Sequence, residues 1–243
     1  MDNKYKMTLL AFGGLALSAC STTQPPKTKI VDTRVVKLSN GSKIDVLTQN
    51  AINGDVIEDT NNSLNLVAKS DNAKVVALKT LQFAAVLLGG GSSQVNTFSK
   101  DQLKGTYVGS VQNRTMEYVN PELDKLLTSA DIPSNVNKEI IIQPYKYKLL
   151  YEGLDTSDYT FFYSATIKSG DYYHTCSSSD LLSAERTRPL SDWEKNNYEL
   201  TQTVAKKIIA ECFKTINSPA EKMKLIAALS STGTAKRVMT PTY

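Results

Sequence analysis

From Lys138 onward the chain is written in strand chemistry, and this stretch limits the fold more than any other. Ile140-Ile141-Ile142 leads into Tyr145, Tyr147, Leu149 and Tyr151, which alternate with Lys146, Lys148 and Glu152 in the two-residue period of a pleated strand. Pro144 removes a ladder donor and predicts an edge position or a bulge. Tyr159 to Lys168 and Asp171 to Cys176 read as a hairpin about Ser169-Gly170. If Lys168 faces Asp171, then Ile167 faces Tyr172, Ala165 faces His174 and Tyr163 faces Cys176, with all six on one sheet face.

Helices are expected to cover that face. Ser191-Asp192-Trp193-Glu194 fits a capping box. Beyond it Leu200, Val204, Ile208 and Cys212 fall at spacings of four with Ala205, Ile209 and Phe213 beside them, which predicts a long helix from Ser191 to Ile216. Ser218-Pro219-Ala220-Glu221 repeats the box and starts a last helix through Leu229. Upstream, Arg34 to Leu38 and Lys43 to Leu47 flank Ser39-Asn40-Gly41-Ser42, a hairpin signal, and Leu64 to Ala68 reads as a short strand. Asp71 is placed to cap a helix from Asn72 to Leu88, which Gly89-Gly90-Gly91 would end. Its apolar half, Phe83 to Leu88, reads as a buried helix end. Asn120-Pro121 predicts a short helix from Pro121 to Leu127. The expected fold is therefore α+β: an antiparallel β-sheet with a long C-terminal helix packed on one face, plus additional short helices. It spans residues 30–229, with a division into two lobes near residues 121–133 left open. Ser230 to Tyr243 has no apolar period and reads as a mobile basic tail.

The N-terminus speaks about destination. Lys4 and Lys6 precede an apolar run from Met7 to Leu17, the pattern of a secretory signal. At 11 residues the run is far shorter than the roughly 20 that span a bilayer. It ends in Leu17-Ser18-Ala19-Cys20, which resembles the lipobox of bacterial lipoproteins at every position. The resemblance covers only the leader. It implies that residues 1–19 are removed, that Cys20 is lipidated with diacylglycerol and palmitate-like chains, and that the protein holds to a membrane through these chains. Two or three chains make a durable anchor where one is marginal. Ser21 stands where the inner-membrane lipoproteins of enteric bacteria typically carry Asp, so the resemblance implies the outer membrane, facing the periplasm. Residues 20–29, with Pro25-Pro26, read as a lipidated N-terminus and extended tether.

With Cys20 so used, Cys176 and Cys212 remain, an even number for a compartment that oxidises thiols. A disulfide between them would staple the helix stripe to the sheet. Nothing else in the sequence has the spacing of a reactive site. One His and three Cys offer no zinc spacing and no Cys-x-x-Cys, so no metal and no cofactor are expected. A net charge of +4, dispersed along the chain, is too mild for nucleic acid. His174 is the sole imidazole; although Ser177, Ser178, Ser179 and Asp180 follow it closely, sequence neighbours do not make a triad. We read His174 as semi-buried beside the disulfide. Seven of the twelve Tyr lie between Tyr145 and Tyr173, so a tyrosine-rich outer face is the possible partner-binding feature, with Tyr145, Tyr147 and Tyr151 the residues expected to form it. The expected role is a non-enzymatic binding or assembly component of an envelope structure, with an envelope protein as partner. An envelope hydrolase acting on peptidoglycan or another glycan, and a carrier of a lipid or small apolar ligand, are the alternatives. The oligomeric state is not legible.

Overall fold

A computed structural model describes residues 28–51, 63–71, 103, 105–133 and 137–230. The leader, Cys20, the predicted helix from Asn72 to Leu88 with its glycine run, and the tail beyond Ser230 lie outside the described residues. Among those described, eight strands form one sheet. Strands β1 (Thr28–Lys37) and β2 (Lys43–Ala51) make the expected hairpin: Lys37 faces Lys43, Gly41 takes φ +84°, and Leu38 and Ser42 close the loop. Strands β3 (Ser63–Val67) and β4 (Thr106–Gln112) pair antiparallel. The long strand β5 (Asn137–Tyr151) is central, with β6 (Asp158–Ser169) on one side and both β2 and β3 on the other. β6 in turn carries β7 (Tyr172–Ser177) and the short β8 (Thr187–Pro189).

The sheet is mixed, which corrects the expectation of an antiparallel one. β2 and β3 both run parallel to β5. Parallel neighbours need long crossovers, and here β3, β4 and helix α1 (Thr115–Thr128) lie in the chain between β2 and β5. α1 starts earlier than the Pro121 signal suggested: Asn113 Oδ1 accepts from the Thr115 amide and Pro121 sits inside the helix. The stripe Val119, Leu123, Leu126, Leu127 is buried and sets where α1 docks. β2 and β3, from before residues 121–133, pair directly with β5 after them.

The β6–β7 hairpin keeps the predicted face but not the predicted register. Ser169 faces Tyr172, Ile167 faces His174 and Ala165 faces Cys176, a slip of two residues. Gly170, at φ +54°, occupies the first central position of the tight turn, where a mirror-image turn requires positive φ. The closing pair is therefore Ser169 and Tyr172 instead of Lys168 and Asp171. A shift of two preserves the side-chain alternation, so the six residues still share one face.

The expected continuous helix from Ser191 to Ile216 is broken. After the short helix α2 (Ser183–Arg186) and β8, helix α3 (Leu190–Glu194) ends and Asn196, Asn197 and Tyr198 take φ +51°, +54° and +62° before α4 (Glu199–Ile216) begins. The Ser191 capping box does not form, because Pro189 occupies the cap position and α3 starts at Leu190. The break lets Trp193 drop into the core, where its Nε1 donates to the Tyr159 carbonyl at 3.0 Å. α4 buries Val204, Ala205, Ile208, Ile209, Cys212 and Phe213, and α5 (Pro219–Ser230) buries Leu225 and Leu229. Helices α1, α3, α4 and α5 all pack into the same core as the inward residues of β5 and β6.

Candidate functional site

Tyr147 and Tyr151 do not form an outer binding face, which corrects that expectation. Tyr147 is 1% exposed and Tyr151 is 4% exposed. The cause is the bulge between Pro144 and Lys146, where Tyr145 is the extra residue; its side chain lies outside the described positions. Beyond the bulge Tyr147 pairs with Tyr163 and Leu149 with Phe161, so the odd-numbered residues of both strands meet on the helix-covered face. Tyr147, Phe161 and Tyr163 form an aromatic cluster with centroids 5.4 to 6.3 Å apart.

Both buried phenols act as donors. Thr115 Oγ1 gives its own hydrogen to Asn113 Oδ1, so the Tyr163 hydroxyl, 2.8 Å away, donates to Thr115. Thr201 Oγ1 gives its hydrogen to the Tyr198 carbonyl, so the Tyr147 hydroxyl donates to Thr201 at 2.9 Å. Burial pushes both phenols well above the ordinary tyrosine range. Tyr172 is pushed up to about 12, by burial first and then by the charge of Glu221.

Among the described residues the most exposed tyrosine is Tyr173, 65% exposed on the sheet face opposite the helices. Hydrogen bonds from the Thr175 and Thr166 hydroxyls lower its pKa. Its outward position follows from the β7 alternation, since Tyr172, His174 and Cys176 face inward; the signal was present in the sequence. Alkaline titration separates these roles. The first phenolate of the folded protein is expected to be Tyr173 and to vanish in Tyr173→Phe. Tyr147 and Tyr163 ionise only as the chain unfolds. Their folded pKa values lie above the unfolded value of about 10, so the stability they contribute is present below about pH 10 and is lost as pH rises past it. Tyrosinate absorbance followed alongside circular dichroism tests this; ionisation of all phenols before unfolding would overturn it.

The disulfide forms between β7 and α4, with Cys176 and Cys212 Cα atoms 5.3 Å apart, inside the usual range of about 4.4 to 6.8 Å. Beside it lies an open cleft of about 600 Å³, bounded by β7, the turn after it, α2 and α4. His174, Asp180, Glu185, Lys207 and Glu211 bring charge to its walls, and Leu181, Leu182 and Cys212 add apolar surface. Lys207 pairs with Glu185 across the cleft and Glu211 pairs with Lys214 at 2.7 Å. His174 stacks on Tyr172, with centroids 6.5 Å apart, and its Nδ1 lies 3.8 Å from Glu221 Oε2. Glu221 is held below the usual carboxylate range, chiefly by its hydrogen bond from Lys224.

The hydroxyls that follow His174 are committed to local structure. Ser177 Oγ accepts from the Ser179 amide and Asp180 Oδ2 accepts from the Ser177 amide, a reciprocal cap. Ser178 Oγ accepts from the Tyr163 amide inside the protein. The arrangement orders a turn at the border of the cleft, whose walls carry the Lys207–Glu185 pair. Glu185, Lys207 and Glu221 join His174 only through the fold, and no spacing in the sequence links them. No protein-family model, curated protein or solved structure matches the chain.

Proposed function

We propose that this chain is a lipid-anchored protein of the cell envelope, held at the outer membrane facing the periplasm through acyl chains on Cys20, and that it serves as a non-enzymatic binding or assembly component. One observation carries the reading: the lipobox-like Leu17-Ser18-Ala19-Cys20 leaves two further cysteines, and these are joined as Cys176–Cys212. Disulfides persist in the compartment to which such a leader directs a chain. The binding role draws on the surface. The serines next to His174 serve the backbone, while Tyr173 stands out from a sheet face and the charged cleft lies open beside the disulfide.

The test is cross-linking of the acylated protein in its native envelope, with Cys20→Ala as the unanchored control and the mass of the N-terminal peptide as the measure of acylation. The expected result is an acylated Cys20 and a stoichiometric envelope protein captured by the anchored chain and lost in the control. An unacylated Cys20 would overturn the anchor. Capture of cell wall and lipid without a protein partner would overturn the assembly role.

A further inference from the structure

The C-terminal helix is shallowly seated. Of the twelve residues of α5 only Leu225 and Leu229 are buried, whereas α4 buries eight. α5 packs on β6 and β7, and polar contacts tie its first turns to other elements. Lys222 Nζ donates to the Ser129 carbonyl at 3.3 Å, and Glu221 Oε2 lies 3.8 Å from Nδ1 of His174 on β7. On the same strand the Tyr172 hydroxyl is shielded from water, has no hydrogen-bond partner among the described residues and feels the charge of Glu221. An unpaired buried donor is unfavourable, so lifting the helix from this strand gives the phenol back to water.

We infer that His174 and Glu221 form a pH-set latch: the protonated imidazole ties β7 to the first turn of α5, and its deprotonation lets the helix lift from the sheet. The two carboxylate oxygens of Glu221 are divided between partners. Oε1 takes Lys224 Nζ at 2.6 Å, while Oε2 faces His174. The Lys224 pair closes within α5, so it does nothing to hold the helix down, and the ammonium side chain is 66% exposed. The histidine pair spans two elements, and its side chains are only 21% and 23% exposed. It is therefore screened less than a surface pair. A charged imidazole donates from both nitrogens, whereas a neutral ring brings no net charge to the carboxylate.

The other surroundings of the ring do not oppose its charge. Tyr172 stacks on it, and Ile167 faces it from β6. On the cleft wall that His174 shares, α4 brings Glu211 and Lys207, α2 brings Glu185, and the turn after β7 brings Asp180. Lys207 is taken by Glu185, and Glu211 by Lys214. The cleft side thus adds no net positive charge beside a protonated ring.

The direction of the pH effect follows. Glu221 is held below the usual carboxylate range, so it stays ionised throughout the pH range in which an imidazole titrates. The latch is therefore closed between the carboxylate range and the imidazole range, and it is lost as pH rises through the latter, about 6.5 for an ordinary histidine. The inference does not depend on the lipid anchor, because both partners lie within the folded domain.

The test is hydrogen exchange of the full, disulfide-bonded chain at about pH 5.5 and about pH 8, either side of the imidazole range, read by mass spectrometry and corrected for the pH dependence of free amides. β5 serves as the internal reference. The expected result is that α5 opens about fivefold more often at the higher pH, the upper end for an exposed ion pair, while β5 does not change. His174 is the only imidazole, so a step in this range that disappears in His174→Gln belongs to it. Glu221→Gln reads the same latch from the other side and serves if His174→Gln does not fold. Lys224→Gln removes the other partner of Glu221 and is expected to keep the step, which separates the latch from a general weakening of α5. A wild-type helix with no step overturns the latch. So does a step that survives in His174→Gln or Glu221→Gln, or one that Lys224→Gln abolishes.

Discussion

Replacing Cys176 and Cys212 together by Ala is expected to lower the free energy of unfolding by roughly 2 to 5 kcal/mol. The bond closes a loop across a sequence separation of 36, and the chain-entropy relation gives about 4 kcal/mol for a loop of that length. Most of the effect lies in the unfolded chain, where β8, α2, α3 and most of α4 would gain freedom. A smaller part lies in the native state. Cys176 is fully buried and Cys212 is 6% exposed, so two deleted sulfurs leave unfilled volume. Reductant separates the two parts, since reduced wild type loses the cross-link and keeps the sulfur atoms. Urea unfolding should therefore order the proteins as oxidised wild type, reduced wild type, then the double variant, with a steeper denaturant dependence once the unfolded chain is released. If reduction leaves the wild-type midpoint unchanged, the staple contributes nothing to stability.

The same bond shows which parts of this fold the amino-acid sequence discloses. Cys176 and Cys212 were legible as a pair because alternation places one on a strand face and a four-residue spacing places the other on a helix stripe. The β1–β2 hairpin was legible because Asn40-Gly41 marks its turn locally. The parallel pairing of β2 and β3 with β5 was not, because strands so far apart in the chain carry no local record of their neighbours. Tyr147 and Tyr151 were read onto an outer face because alternation gives two faces without saying which one the helices cover. The break before α4 did have a signal: Asn tolerates the left-handed conformation better than most residues, and Asn196-Asn197 precedes Tyr198. The helical periodicity on either side masked it. At the cleft, His174 was visible as a lone imidazole, but Glu221 meets it from α5, while Glu185 and Lys207 line the cleft beside it from α2 and α4. Such a site exists only once the sheet and helices are assembled.

Trp193→Ala should destabilise the protein by about 3 to 5 kcal/mol, the range for removing a large aromatic from a packed core. Trp193 is the only tryptophan and is fully buried. Its ring centroid lies 5.9 Å from that of Phe161, and Phe161 belongs to the aromatic cluster between the sheet and α4. Two effects add in the Ala variant. The cavity forfeits the contacts of the indole, and the Tyr159 carbonyl loses the donor it accepts from at 3.0 Å. Trp193→Phe keeps much of the ring and loses only the hydrogen bond and part of the volume, so its cost should fall between those of wild type and Ala. The position also explains the backbone that follows. Three consecutive residues at positive φ are costly outside glycine, and they persist here because Trp193 on one side and the buried stripe of α4 on the other fix both ends of the turn. Loss of the anchor should therefore speed hydrogen exchange in residues 190–198 more than in β5, which is held on both sides by neighbouring strands. Circular dichroism in urea gives the stability order, because the fluorescent probe is itself removed. A loss below about 1 kcal/mol would sit at the level of an ordinary substitution, and would mean that α3 is not held by its indole and that the left-handed turn is maintained by something else.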